Sequence, residues 1–117
     1  PMPIVDAIKS CFAKYADFNG RAARSEYWWF ALFIVLASFA TDAVSHKLSL
    51  LFSVATLLPS IAAAARRLHD TNRSGWWQLI AIIPVIGWII IIYFLAQEPK
   101  EPNNFGAPAV VPNLPET

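Results

Sequence analysis

The sequence predicts an all-α membrane protein: an N-terminal amphipathic interfacial helix, three transmembrane helices and a disordered, proline-rich C-terminal tail. Three observations predict it. Hydrophobic residues make up 56% of the 117 and charged residues 15%, against roughly 45–50% and about 25% in soluble domains. Three stretches, 27–41, 48–65 and 74–97, carry no charge. The basic residues gather at the ends of those stretches rather than along them. A chain of this length holds one domain, expected over residues 1–97, with 98–117 as an extended tail.

The first element is expected over residues 4–16. Ile4, Ile8, Cys11, Phe12 and Tyr15 fall on one helix face, and Asp6, Lys9, Ser10 and Lys14 lie largely elsewhere. Such a helix is too short and too charged to cross a bilayer. It lies in the membrane interface, packs its apolar face on the other helices, or does both. The same charges interrupt any secretory-signal pattern, and Met2, after Pro1, reads as the natural start. Cys11 is the only cysteine, so an internal disulfide and a cysteine-based metal site are excluded. His46 and His69 are too far apart in sequence to supply metal-ligand spacing, and no metal is expected.

A turn at Asp17-Phe18-Asn19-Gly20 leads to Arg21, Arg24 and Trp28, which share a helix face at i, i+3, i+7. The first span is expected at about 27–44, with Trp28 and Trp29 as interfacial anchors. Asp42 falls near its far boundary, within reach of water. Ser45-His46-Lys47 connects to a second span at about 48–65. Pro59 should kink that helix, and Ala62-Ala63-Ala64-Ala65 should let a neighbouring helix approach closely. A polar loop follows from Arg66 to Gly75. The third span is expected at about 76–96, with Trp76 and Trp77 as its anchors; about 21 helical residues reach roughly 30 Å, one bilayer core. Pro84 and Gly87 bend that span, or else turn it into a re-entrant hairpin with two short arms; the single kinked span is the expected form. In the tail, Pro99, Pro102, Pro108, Pro112 and Pro115 exclude regular helix, and the segment is expected to be disordered.

Three spans put the N-terminus and the central loop on one side. That side holds Lys9, Lys14, Arg21, Arg24, Arg66, Arg67 and Arg73, and the other holds Lys47 and Lys100. Seven of the nine basic residues on one side place it in the cytoplasm by the positive-inside rule, and the C-terminus in the periplasm.

Two stretches resemble a known family. One is Phe18-Asn19-Gly20-Arg21-Ala22-Ala23-Arg24-Ser25-Glu26-Tyr27-Trp28. The other is Leu58-Pro59-Ser60, then Arg66-Arg67-Leu68-His69-Asp70-Thr71-Asn72-Arg73-Ser74-Gly75-Trp76-Trp77 and Ile83-Pro84-Val85-Ile86-Gly87-Trp88. Together they resemble the domain-of-unknown-function family 805, small bacterial inner-membrane proteins, over about residues 4–108. Ala23 stands where the family often has a basic residue. Asn103-Asn104-Phe105-Gly106 matches the family's Asn-x-aromatic-Gly ending loosely. The resemblance implies a multi-span inner-membrane protein and no particular activity.

The candidate functional residues are therefore Arg21, Arg24, Glu26, Arg66, Arg67, His69, Asp70 and Arg73. In the structural reading, Asp70 or Glu26 pairs with arginines across two segments and ties the helices together. In the binding reading, the arginines converge on the phosphates of anionic phospholipid or on an acidic protein partner; a homo-oligomer is a further partner class. A subunit of a transporter or channel is the alternative, with Thr41 and Asp42 as lining. An enzyme using His69 with Asp70 or Glu26 ranks lower, because no nucleophile motif accompanies them and no catalytic residue is assigned. No Gly-rich loop exists, so no nucleotide cofactor is expected. Nucleic acid is not an expected partner, since the basic residues sit at a bilayer surface.

Overall fold

Five helical elements follow one another in a computed structural model that describes residues 2–106. They are α1 (Ile4–Ala13), α2 (Arg24–Val44), α3 (His46–Asp70), a 3₁₀ arm (Gly75–Ile82) and α4 (Ile86–Leu95). No strand occurs among the described residues.

α2 and α3 are the two helices long and apolar enough to cross a membrane. Their 21 and 25 residues correspond to about 31 and 37 Å. The longer helix therefore exceeds the thickness of a core of roughly 30 Å, and Arg66 to Asp70 are its last five residues. Ala62, Ala63, Ala64 and Ala65 are all buried, because their small side chains let α3 meet its neighbours closely. Outward residues such as Phe39, Val44, Leu51 and Val54 are each more than 60% exposed, as lipid-facing side chains would be.

Pro59 lies inside α3 and has no N–H to give, which orphans the carbonyl of Ala55 four residues back. The Tyr15 hydroxyl donates to that carbonyl, so a side chain just past α1 repairs the gap. α1 itself packs inward. Ala7 and Cys11 are fully buried, and Phe12 meets Phe30 and Phe33 edge-on at 5.4 and 6.0 Å. The packed placement describes Ala7 and Cys11, while Ile4 and Phe12 of the same helix stay exposed, and the helix ends at Ala13 rather than 16.

The structure corrects the sequence reading at three places. The Arg66–Gly75 stretch is not all loop: α3 runs on to Asp70 and stops in a Schellman turn. Asn72 takes the left-handed conformation (φ 60°), its N–H donates to His69 O (2.9 Å), and the Arg73 N–H donates to Leu68 O (2.9 Å). Asn tolerates that conformation better than most residues.

The single kinked span expected at 76–96 is instead the hairpin. The 3₁₀ arm and α4 fold back on each other, so that Trp77 near the start meets Phe94 near the end (5.5 Å between centroids). The reversal is a γ-turn at Val85 (φ 63°, ψ −66°), with Ile86 N–H donating to Pro84 O at 2.7 Å. The arms close up because Gly87 has no side chain: a Cβ there would lie 1.8 Å from Ile80 O. Trp88 Nε1 donates to Ala81 O (2.9 Å), satisfying a carbonyl of the facing arm.

The tail from residue 98 is not free as far as Gly106. Lys100 N–H donates to Asp70 O (2.9 Å), Asn104 N–H donates to Asn72 Oδ1 (2.9 Å), and Asn103 Nδ2 donates to His69 O (2.7 Å). The disorder expected for 107–117 falls outside the described residues.

Candidate functional site

The charged residues meet at one end of the α2–α3 pair. There α3 finishes, α2 begins, the hairpin starts and ends, and residues 98–106 fold across. Arg21, Glu26, Arg66, Arg67 and Asp70 are each at most 4% exposed. Burying charge is costly unless it is paired and hydrogen-bonded, and the pairing is extensive.

Asp70 is shared. Arg21 Nε donates to its Oδ1 at 2.9 Å and Arg67 Nη1 to its Oδ2 at 2.5 Å. Arg67 follows from helix register, three residues back along α3. It also donates to Leu95 O (2.8 Å), Ala22 O (3.2 Å) and Gln97 O. One guanidinium thus holds the end of the hairpin, the approach to α2 and the beginning of the tail.

Arg66 points the other way. Its Nη1 donates to Lys14 O (3.1 Å) and Asp17 O (2.7 Å), and its Nη2 lies 3.7 Å from Glu26 Oε2, an ion-pair distance rather than a hydrogen bond. Glu26 accepts instead from Ser10 Oγ (3.0 Å). The Arg66 carbonyl accepts from Ala22 N–H (3.0 Å). The 17–22 loop is therefore held by its main chain, through residue types that sequence periodicity does not weigh.

Three buried guanidiniums face two buried carboxylates, and Glu101 of the tail supplies a third acid. Its Oε1 is 2.6 Å from Arg21 Nη2, although that nitrogen lacks hydrogen-bond alignment; the contact is a close ion pair. Burial works against the charge on Arg21, but the adjacent carboxylates of Glu101 and Asp70 outweigh it and raise its pKa above the ordinary value. Cys11 lies within 3.8 Å of Glu26 Oε2. Burial, with Glu26 beside it, pushes the thiol up to about 12, so it stays protonated and is no nucleophile at neutral pH.

His69 is beside the cluster, not in it. Its Nδ1 meets Gly20 O at 2.8 Å, and its ring stacks on Phe105 (4.3 Å between centroids, 1° between planes). Asp70 faces Arg21 and Arg67, so His69 and Asp70 do not form the acid–base pair that a catalytic reading requires. Thr41 and Asp42 lie at the opposite end of α2. The Thr41 hydroxyl bonds back to Ala37 O and Ser38 O (2.9 and 3.0 Å), and Asp42 pairs with exposed His46 at 3.2 Å.

Two of the candidate cations stand apart. Arg24 is exposed and forms no ion pair among the described residues. Arg73 lies over the Phe94 ring at 4.1 Å. Of the tryptophans, Trp29, Trp76 and Trp77 are exposed at 39, 78 and 47%, as interfacial anchors would be. Trp28 is half-buried, and its Nε1 donates to Leu95 O (3.3 Å), tying α2 to α4. Sequence reading missed Glu101 and Phe105; the one signal for them was the Asn103–Gly106 ending, which resembles that of the family.

Beside His69 lies a groove of about 400 Å³, lined by Phe18, Ile61, Ala65, Ser74, Gly75, Trp76, Gln78 and Leu79.

Comparison with known proteins agrees with the sequence motifs. The family described as "Protein of unknown function (DUF805)" matches residues 15–107. The Escherichia coli (strain K12) inner membrane protein YhaI is 38% identical over 102 residues, covering 81% of this chain and 86% of the relative. The inner membrane protein YhaH of the same strain is 40% identical over 105 residues, covering 79% and 86%. The uncharacterized protein YiiR is 34% identical over 81 residues, covering 64% and 53%. No solved structure matches. The match of the family over most of the described residues, with two relatives similar over nearly their whole length, means that the chain belongs to the DUF805 family.

Proposed function

We propose that this is an integral protein of the bacterial inner membrane that acts as a non-catalytic scaffold. α2 and α3 cross the bilayer, and the arginine-rich end faces the cytoplasm. There it locks the two spans, a re-entrant hairpin and residues 98–106 into one rigid face. The observation that carries this reading is Arg67, which donates to Asp70 and to the carbonyls of Ala22, Leu95 and Gln97. A guanidinium with its donors spent on its own chain is a tie rather than a receptor for a foreign phosphate.

The test is an Arg66→Ala/Arg67→Ala double variant. A scaffold predicts that it still enters the membrane but loses order at residues 17–22 and 95–97, which become sites of rapid proteolysis in inverted membrane vesicles, whose outer surface is the cytoplasmic face. If the arginines existed to hold a ligand, the variant would stay as protease-resistant and heat-stable as the wild type, and the reading would fall. A second reading is supported by Arg24 and Arg73, which are left outside the network: they are placed to meet headgroup phosphates or an acidic partner at the same face.

A further inference from the structure

We infer that the groove between α3 and the 3₁₀ arm is a seat for one phospholipid of the cytoplasmic leaflet, its acyl chain along the groove and its phosphate at His69 and Ser74. The inference rests on the membrane placement proposed above and adds a ligand and a site that the arginine network does not provide. About 400 Å³ lies within the roughly 300–1,000 Å³ of ligand sites, which are mainly apolar with a few placed polar groups.

The groove is graded along its length. Ile61, Ala65 and His69 follow each other at i, i+4, i+8 on α3, so its wall runs parallel to a spanning helix for about 12 Å. His69 stands at the charged end and Ile61 toward the apolar middle. Trp76 and Leu79 supply the facing wall and remain open to lipid, at 78 and 57% exposure. A flat apolar patch would accept lipid in any orientation; here Ser74 and His69 mark one end, while Gln78, the other polar side chain of the lining, donates its Nε2 N–H to Ile61 O (3.2 Å).

That end is prepared. The His69 ring is held by Gly20 O at 2.8 Å and by Phe105 on its face. Its Nδ1 is thereby engaged, and Nε2 is directed past Gly75, 3.7 Å from where a Cβ would stand. Ser74 Oγ accepts from Trp76 N–H (3.2 Å), which leaves its hydroxyl proton to give. A phosphate set between the two accepts from the Ser74 hydroxyl, and from His69 Nε2 when the ring carries both protons, which makes that hydrogen bond charge-assisted. Glycine at 75 keeps the entrance shallow: a Cβ there would press on Ala65 Cβ at 2.9 Å.

The experiment is native mass spectrometry of the full chain released from nanodiscs of phosphatidylglycerol and phosphatidylethanolamine, with the membrane fraction washed at alkaline pH beforehand. Wild type is expected to carry one phospholipid per chain through delipidation. Ile61→Trp and Leu79→Trp fill the groove from opposite walls and should each abolish the adduct. His69→Asn keeps a donor toward Gly20 and removes Nε2; it should weaken retention at least about tenfold, the weight of one charge-assisted hydrogen bond. Two groove-filled variants that retain lipid like wild type would overturn the site. So would a wild-type spectrum of many unsaturable adducts. A chain stripped from the membrane by the alkaline wash would instead overturn the membrane placement, so the two failures are distinguishable.

Discussion

A buried carboxylate shared by two guanidiniums is the most sensitive point of the protein. Asp70 is 1% exposed and bonds to both Arg21 and Arg67. Removing one partner of a buried ion pair leaves charge with nothing to balance it, at a cost of about 3–5 kcal/mol. Asp70→Asn keeps the shape and removes the charge, so it should lower the unfolding free energy by about that amount in a mild detergent. Arg24→Ala, on the exposed start of α2, should change it by less than about 0.5 kcal/mol. A denaturant or thermal midpoint separates the two, and equal small shifts would contradict the network. The sequence made Asp70 and Arg67 legible, since their spacing is local. It did not choose Arg21 or Glu101 as partners, because that choice depends on two segments folding across the end of α3. The arginines also look like free cations in sequence, because more than half of their partners are main-chain carbonyls, and a carbonyl carries no residue signature.

At the scale of elements, the two long helices were legible and the third was not. Charge-free length and flanking charge mark α2 and α3, since a core of roughly 30 Å fixes how many apolar residues a crossing needs. The stretch 76–96 meets the same count, and composition cannot tell one crossing from two half-crossings. The 3₁₀ arm and α4 have eight and ten residues, about 16 and 15 Å long, each half of a bilayer core. What decides is Gly87. In a straight helix, Gly87→Ala would be neutral or favourable by up to about 1 kcal/mol, since Ala is the better helix former. In the hairpin the added Cβ would lie 1.8 Å from Ile80 O, so the arms must separate and break the Trp88–Ala81 bond. Gly87→Ala is therefore expected to destabilise, by about 1–3 kcal/mol as overpacking does, with Trp fluorescence reporting a more mobile Trp88. A stabilised variant would mean that the straight span had been the better reading.

The hairpin changes the topology of the whole molecule. With a third crossing, Lys100 would join Lys47 on the far side. With the hairpin, residues 98–106 return to the arginine-rich end, where Lys100 N–H meets Asp70 O and Glu101 meets Arg21. Eight of the nine basic residues then share one side and only Lys47 stands on the other. The positive-inside rule weighs such counts in short flanking segments, so the folded arrangement is also the one with the stronger orienting bias. The prediction for the proposed membrane placement is that both termini are cytoplasmic. A green fluorescent protein fused after Thr117 should fluoresce, and alkaline phosphatase fused there should be inactive, while phosphatase inserted between Val44 and Lys47 should be active. An active C-terminal phosphatase would place the tail in the periplasm. That would remove Glu101 from Arg21 and Gln97 from Arg67, leaving both guanidiniums short of partners in a buried site. The tail and the arginine cluster therefore stand or fall together: the same ties that close the charged end hold residues 95–106 against it.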